Sequence, residues 1–361
     1  MYKLIRKFLF LFPAEVAHDL SLPALSLLDK VGLLRAVTPN VETKSIKVMG
    51  IEFPNRVGLA AGLDKNGDYI SALSNLGFGF VEIGTVTPLA QPGNDKPRIF
   101  RLPEANAIIN RMGFNNDGID QLIENVNKAR GNGFKGVLGI NIGKNLKTKV
   151  EDATKDYLIG LRQAYYYADY ITINISSPNT PGLRTLQYGD ELNGLLSAIK
   201  NEQMKLALEH KKYVPVAIKV APDLTEKEVE AVAESILANN MDALIATNTT
   251  LARDTVEGLN HANEAGGLSG DPVKTQSTKI IAEFHKYLKG QVPIIGVGGI
   301  SSAKDAEDKL NAGASLVQIY TGFIYQGPGL ISDILQSDAI NNHQDTVIDV
   351  DVADGIDDHQ E

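Results

Sequence analysis

After Pro39, apolar runs of seven to nine residues alternate with longer amphipathic stretches. Each run is nearly continuous in Val, Ile, Leu and Ala, which is typical of parallel strands covered on both faces. The eight predicted strands are RVGLAAG (56–62), FVEIGTV (80–86), GVLGINIG (136–143), YITINIS (170–176), VPVAIKVAP (214–222), ALIATNT (243–249), VPIIGVGGI (292–300) and LVQIYTG (316–322).

The stretches between these runs predict helices. In TEKEVEAVAESILANN (225–240), Thr225 is placed to cap a helix and Glu228 to complete a capping box. Eight strand–helix alternations predict an α/β protein with a (β/α)8 TIM barrel spanning residues 41–335. A doubly wound open sheet is the alternative, but no GxGxxG follows the first strand. The connection over residues 85–116 is too long for a simple loop, which indicates a functional segment.

The two ends of the chain differ from this pattern. Residues 1–40 begin with Lys3, Arg6 and Lys7, followed by an apolar run over 8–12 that is too short to span a membrane. This predicts a helical segment that either caps the core or contacts a membrane surface. Residues 336–361 hold eight acidic residues and no Lys or Arg, so they account for nearly all of the net charge of −9 and predict a mobile acidic tail.

Composition excludes several kinds of chemistry. The chain has no cysteine, which rules out disulfides, thiolate metal sites, Cys-ligated iron–sulfur clusters and cysteine catalysis. The six histidines are scattered, so we expect no metal site. No broad basic face is evident, and nucleic acid is not an expected partner.

Polar side chains cluster where the predicted strands end, and in a barrel this is the edge that carries the active site. A Lys inside an apolar run needs a partner, and an anionic ligand would supply one. Six consecutive polar strand ends therefore predict one shared site. The residues are Asp64, Lys65, Gly84, Thr85, Asn141, Lys144, Asn174, Ser176, Ser177, Lys219, Thr247, Asn248 and Thr249.

Glycines follow the last strands, in GVGGI (296–300), YTG (320–322) and GGLSG (266–270). Exposed backbone amides and a helix beginning near Ser301 and Ser302 suit a phosphate group, and this is its usual position in such barrels. The Asn-rich strand ends suit a planar compound with imide and carboxylate groups.

Nine motifs together resemble the quinone-dependent dihydroorotate dehydrogenase family over about residues 1–335. They are AAGLDKNG (60–67), EIGTVTP (82–88), AQPGNDKPR (90–98), INRMGFNN (109–116), GINIGKN (139–145), NISSPNTPGLR (174–184), ATNTT (246–250), GGLSG and GVGGI. The resemblance implies that FMN oxidises dihydroorotate to orotate in pyrimidine synthesis and that a membrane quinone accepts the electrons.

By this resemblance Ser177 is the catalytic base that removes the C5 proton as hydride leaves C6, with Thr180 and Phe114 ordering a water path. The implied substrate contacts are Lys65, Asn110, Arg111, Met112, Gly113, Phe114, Asn174, Asn179, Asn248 and Thr249. The implied FMN contacts are Ala60, Ala61, Gly62, Leu63, Asp64, Lys65, Thr85, Asn141, Asn174, Lys219, Thr247, Gly270, Gly299, Tyr320 and Thr321. Lys219 is expected to stabilise negative charge on the reduced flavin.

The absence of cysteine also bears on the subclass, because the family's soluble branches use a Cys base and one adds an iron–sulfur subunit. The resemblance implies instead that no such subunit is present, that quinone enters between the N-terminal helices near His18 and Arg101, and that the protein is peripheral on the cytoplasmic side of the inner membrane. Two rival hypotheses stay open: a Schiff-base aldolase or isomerase using Lys65 or Lys219, and a flavin-binding sensor without turnover.

Overall fold

In the computed structural model, which describes residues 2–34, 38 and 41–344, eight parallel strands close into a barrel. The strands in chain order are β1 (Ile46–Val48), β2 (Ile51–Phe53), β3 (Val57–Leu59), β4 (Phe80–Val86), β5 (Ile99–Leu102), β6 (Ala107–Asn110), β7 (Val137–Ile142), β8 (Tyr170–Asn174), β9 (Val216–Val220), β10 (Ala243–Ala246), β11 (Gly267–Gly270), β12 (Ile294–Val297) and β13 (Leu316–Ile319). The barrel order is β3, β4, β7, β8, β9, β10, β12 and β13, and β13 pairs with β3. Each barrel strand lies within one of the eight predicted runs, so the barrel prediction is confirmed and the open sheet is excluded.

Helices cover the outside of the barrel. They are α1 (Tyr2–Leu9), α2 (Ala14–Lys30), α3 (Ile70–Ser74), α4 (Ile119–Gly131), α5 (Ala153–Ala164), α6 (Gly189–His210), α7 (Glu226–Ala238), α8 (Lys274–Leu288), α9 (Ala303–Asn311), α10 (Thr321–Gln326), α11 (Gly329–Leu335) and α12 (Asp338–Asn341). The predicted capping box is present: Thr225 accepts from the Glu228 amide, and the Glu228 carboxylate accepts from the Thr225 amide. Ser302 caps α9, next to the glycine-rich end of β12.

Two apolar cores lie on opposite sides of the barrel wall. The larger one fills the space between strands and helices, and the smaller one fills the barrel interior. At the lower, amino-terminal end of the barrel, the Phe53 ring from the β1–β2 hairpin packs edge-on against Phe80 at 5.1 Å, and Phe80 packs against Tyr170 at 6.2 Å. These rings close that end of the barrel, so the site must open at the other end.

The long connection over 85–116 is folded. It carries β5 and β6, which join β11 in a three-stranded antiparallel sheet separate from the barrel. This small sheet stands beside the carboxyl ends of the barrel strands, because β6 ends at Asn110 and β11 at Gly270, and both residues line the cavity described below.

The N-terminal helices are tied to this region by charged groups. Glu15 of α2 pairs with Arg98 at 2.7 Å, and the Arg98 side chain is only 7% exposed. Arg98 also donates to the carbonyls of Pro92 at 2.7 Å and Asn94 at 2.9 Å. Among the described residues, none of the helices combines the length and the apolar character that crossing a bilayer requires.

The chain stays packed beyond the predicted start of the acidic tail. Within 336–361, helix α12 is formed, Ile340 is buried, and the His343 carbonyl accepts from Arg56 at 2.9 Å. Residues 345–361 of that predicted tail lie outside the described residues, as do 35–37 and 39–40 of the predicted N-terminal segment.

Candidate active site

A cavity that opens to solvent lies at the carboxyl ends of the barrel strands. Most of the predicted site residues line it, which brings together side chains from strand ends far apart in sequence. Those in the lining are Ala60, Ala61, Gly62, Lys65, Thr85, Asn110, Met112, Gly113, Phe114, Asn174, Ser177, Asn179, Lys219, Thr247, Asn248, Thr249, Gly270, Gly299, Tyr320 and Thr321.

Other predicted residues lie behind the wall or point away. The Asp64 carboxylate accepts from the amides of Asp68 and Tyr69 at 2.9 and 2.8 Å and so shapes the turn after β3. Burial raises the Asp64 pKa to about 6. Leu63 joins the outer core, and Asn141 sits one layer deeper, where its Oδ1 accepts from Thr85 at 2.5 Å.

Arg111 and Lys144 also serve local structure. Arg111 donates to Glu264 at 2.7 Å and lies over the Phe100 ring at 4.5 Å. Lys144 is buried and donates to the carbonyls of Asn145 and Thr148 at 3.1 and 2.7 Å.

The two predicted quinone residues do not line this cavity. His18 Nε2 lies 2.7 Å from the Leu63 carbonyl oxygen, which connects α2 to the loop after β3. Arg101 donates to the Phe12 carbonyl at 2.9 Å, and its guanidinium lies over the Phe10 ring at 4.3 Å. His18 therefore fastens the N-terminal segment to a barrel loop, and Arg101 fastens it to the small antiparallel sheet.

Ser177 is held at the cavity wall by its own loop. Its Oγ accepts from the Asn179 amide at 3.2 Å, and the Asn179 side chain donates to the Asn110 carbonyl at 3.1 Å. Among the described residues, no imidazole or carboxylate hydrogen-bonds to the Ser177 hydroxyl. Ser177 therefore lacks the partner that a Ser–His–Asp arrangement would supply.

Next to Ser177, amide side chains form a fixed cluster. Asn174 donates to Thr85 at 2.9 Å, and Asn248 donates to Asn174 Oδ1 at 3.3 Å and to Ser176 Oγ at 3.1 Å. Because each amide is oriented by a neighbour, the remaining donors and acceptors are presented to the cavity in a defined arrangement.

Behind the cavity lining, next to Lys219, lies a buried carboxylate that the sequence did not indicate. Glu82 is fully buried and accepts from Asn141 at 2.7 Å, Gln318 at 2.7 Å and Tyr170 at 2.9 Å. Its Oε1 lies 3.9 Å from Lys219 Nζ. The sequence suggested an anionic ligand as the partner of Lys219, and the structure adds an anion that the protein itself provides.

The pKa values of both cavity lysines, Lys219 and Lys65, are lowered. Burial lowers the Lys219 pKa, and the Glu82 carboxylate opposes that shift. Burial lowers the Lys65 pKa to about 8, and the Arg98 guanidinium adds to the effect. Lys65 Nζ donates to the Gly62 carbonyl at 2.8 Å, which leaves further donors for a ligand.

One corner of the cavity is lined by backbone amides. In the described part of the chain, the amides of Gly299, Ile300, Thr321 and Gly322 donate to no other protein group, and all four residues line the cavity. Gly299 has φ +72°, and a Cβ there would lie 2.5 Å from Lys274 Cα. Unpaired amides converging at a cavity wall fit a phosphate group, so the residues present suit a phosphorylated cofactor.

Several lining residues were not predicted individually, namely Pro178, Ser269, Val273, Val297, Gly298, Ile300, Gln318, Ile319 and Gly322. Gln318 is the most informative, since its Oε1 is buried without a hydrogen-bond partner among the described residues. The period of two along β13 could have indicated it, because Gln318 is the polar residue in an otherwise apolar strand.

Comparisons with known proteins agree with this geometry. A profile of the dihydroorotate dehydrogenase family matches residues 43–339. A protein from Idiomarina loihiensis named dihydroorotate dehydrogenase (quinone) is 58% identical over 335 residues, covering 93% of this chain and 99% of its own length. One of the same name from Proteus mirabilis is 57% identical, covering 92% and 98%. The crystal structure of the Eimeria tenella dihydroorotate dehydrogenase with ferulenol is 40% identical and superposes with a TM-score of 0.82 over 89% of each chain. The chain therefore belongs to the dihydroorotate dehydrogenase family.

Proposed function

We propose that this protein oxidises dihydroorotate to orotate with FMN as its cofactor and a membrane quinone as final acceptor, in pyrimidine synthesis. The observation that carries the proposal is the convergence in one cavity of Ser177, the Asn174–Asn248 amide cluster and a corner of unpaired backbone amides. Two relatives, from Idiomarina loihiensis and Proteus mirabilis, are named dihydroorotate dehydrogenase (quinone), and this chain aligns with nearly the full length of each.

The amide corner and the strand ends would hold FMN. Gly299, Thr321 and their neighbours would hold the phosphate, and Thr85, Asn174 and Lys219 would hold the ring system. When bound, the flavin supplies a two-electron acceptor that takes hydride from the substrate and returns electrons to quinone. The Lys219 ammonium, held near Glu82, would favour negative charge on the flavin ring.

The polar groups around Ser177 would orient the substrate. Asn110, Asn174, Asn179, Asn248 and Thr249 match an imide and a carboxylate by hydrogen bonding, and Lys65 supplies a positive charge for the anion. Ser177 takes the C5 proton, the C6 hydrogen leaves with its electron pair, and a C5–C6 double bond forms. Without an imidazole or carboxylate on its hydroxyl, Ser177 must pass the proton to solvent. Thr180, three residues later in the chain, and Phe114, which lines the same cavity, would order the water that carries it.

The first test follows the flavin spectrum of the purified protein. We expect FMN absorbance that bleaches under anaerobic dihydroorotate and returns with a soluble quinone analogue. Ser177→Ala should retain FMN and slow bleaching by about 10²- to 10⁴-fold, the usual contribution of a positioned base. Ser235→Ala is the matched control and should bleach normally, because Ser235 is a buried serine on α7 whose hydroxyl donates to the Ala231 carbonyl. A colourless protein that FMN cannot reconstitute would contradict the proposal.

For quinone access we propose that α1 and α2 rest on a membrane surface, on the cytoplasmic side. This segment exposes Leu4 (72%) and Phe8 (59%) on α1, Leu11 (79%) in the turn after α1 and Leu27 (63%) on α2, and Lys3 and Lys7 flank the apolar face. Apolar side chains this exposed are typical of an interaction surface when they are contiguous.

Vesicle sedimentation tests this placement. Leu11→Glu should abolish binding to anionic vesicles and leave bleaching by dihydroorotate unchanged. Leu89→Glu is the control, because Leu89 is 72% exposed but belongs to the long connection before β5. Equal vesicle binding by both variants would place the membrane contact elsewhere.

A further inference from the structure

A single guanidinium joins the three loops that follow β8, β9 and β10. Arg184 lies in a 3-10 turn, Leu183–Gln187, seven residues after Ser177. Its Nε donates to the Ser176 carbonyl at 3.1 Å, one Nη to the Thr249 carbonyl at 2.9 Å and the other to the Asp223 carboxylate at 2.7 Å.

Each of these partners is next to the chemistry. Ser176 directly precedes the proposed base, and Thr249 is itself a proposed substrate contact. Asp223, in the loop after β9, also accepts from the Thr250 hydroxyl and from the Leu251 amide at 3.1 Å. One arginine–aspartate pair therefore holds the peptide before the base and the peptide of the substrate contact in a fixed relation.

We propose that Arg184 and Asp223 form a positioning clamp that sets the distance between the Ser177 hydroxyl and the substrate held at Thr249. The inference rests on the proposed function and adds to it two residues that do not line the cavity. Neither touches substrate or flavin; both act through the backbone of Ser176 and of Thr249–Leu251.

The chemistry of the side chain supports this assignment. The planar guanidinium offers donors in a rigid fork, and here three of its nitrogens serve three different loops. A lysine at 184 could reach one or two of these acceptors but not hold all three in one plane. The Arg184 and Asp223 side chains are 19% and 27% exposed, so the pair is partly shielded from solvent and salt.

The test compares Arg184→Lys and Asp223→Asn with the wild type in separate half-reactions. We expect flavin bleaching by dihydroorotate to slow by about 10- to 100-fold, the usual cost of a small misplacement of reacting groups. Orotate should bind several-fold more weakly. Reoxidation by a soluble quinone analogue and FMN content should stay at wild-type values, because neither depends on the Ser177 loop.

Arg130→Lys is the matched control. Arg130 pairs with Asp169 at 2.8 Å, donates to the Gly136 carbonyl at 3.0 Å and lies near the opposite end of the barrel. It should leave bleaching within about twofold, since its partners position no reacting group. The double variant Arg184→Lys/Asp223→Asn should be no slower than the slower single variant if the two residues act as one unit.

Wild-type bleaching by dihydroorotate together with unchanged bleaching in Arg184→Lys and Asp223→Asn would overturn the clamp and leave the proposed function intact. Equal slowing by Arg130→Lys would overturn it too, because the effect would then reflect general loosening. A wild-type enzyme that dihydroorotate does not bleach would overturn both proposals. If Arg184→Lys does not fold, Asp223→Asn still decides the question.

Discussion

Two of the buried lysines lie in different parts of the molecule, one inside the barrel and one in the helical shell. Lys219, on β9, is 5% exposed and has the Glu82 carboxylate 3.9 Å away. Lys309, on α9, is fully buried and donates to the Lys274 carbonyl at 2.9 Å and the Thr278 hydroxyl at 2.7 Å. Lys219 has an anionic partner and lines the active-site cavity; Lys309 has neutral hydrogen-bond partners and does not line that cavity.

Burial alone therefore does not identify a functional lysine. Burial lowers the pKa of both side chains, and for Lys309 it does so to about 7. Lys309 can satisfy its hydrogen bonds at helix α8 and serves to dock α9, so its charge is a cost without a use there. Lys219 keeps a counter-charge close by, and its ammonium remains available to a ligand.

The largest expected effect comes from breaking the barrel pair. Lys219→Met leaves Glu82 buried without a cation, which should cost about 3–5 kcal/mol in the free energy of unfolding and abolish FMN retention. Adding Glu82→Gln removes the stranded charge and should recover most of that stability but not the cofactor. Urea unfolding of the apoproteins measures both, and failure of the double variant to recover would show that the two charges are not coupled.

An intermediate effect is expected at Lys65, the other cavity lysine. Its pKa of about 8 means that the ammonium is lost as pH rises through 8, and with it the attraction for an anion. Orotate should therefore bind roughly tenfold more weakly at pH 9 than at pH 7. A spectral titration of the oxidised enzyme measures this, and Lys65→Met should bind weakly at both pH values. If the wild-type affinity for orotate did not change with pH, the Lys65 ammonium would not be a substrate contact.

The smallest effect on activity is expected in the shell. Lys309→Met should leave flavin bleaching within about twofold, because no reacting group depends on it. It should instead change the pH dependence of stability. Between about pH 7 and the ordinary lysine value of 10.5, the unfolded chain holds a proton that the folded chain has released, so wild-type stability rises with pH. The variant should lose that slope, of order 1 kcal/mol per pH unit, in denaturation curves recorded at several pH values.

The barrel was predictable because its strands are buried on both faces and so read as continuous apolar runs. The strand-end site was predictable for the same reason, since parallel strands bring their carboxyl ends to one edge. The motif resemblance then assigned individual residues, and most of them line the cavity. Asp64 and Arg111 stand in the same motifs yet shape a turn and bind Glu264, because a motif does not specify which way each side chain points.

The sequence could not show how deeply a polar side chain is buried or which distant polar side chain it contacts. Glu82 stands inside FVEIGTV, where a single carboxylate looks like an interruption of the strand; only barrel closure brings it to Gln318, 236 residues away. Arg184 and Asp223 are 39 residues apart on different loops, and no local pattern joins them. Long-range polar contacts of this kind depend on the closed sheet and therefore follow from the fold.

The Glu15–Arg98 contact determines what the removal of the two N-terminal helices would change. Arg98 is almost fully enclosed, and Glu15 is the carboxylate that faces it. Without these helices, Arg98 would lose this carboxylate and would keep its bonds to the carbonyls of Pro92 and Asn94, in the loop whose Asn94 amide donates to Met112. The N-terminal helices are therefore part of the support of this loop, and a shortened chain without them would lose the carboxylate that holds Arg98 in place.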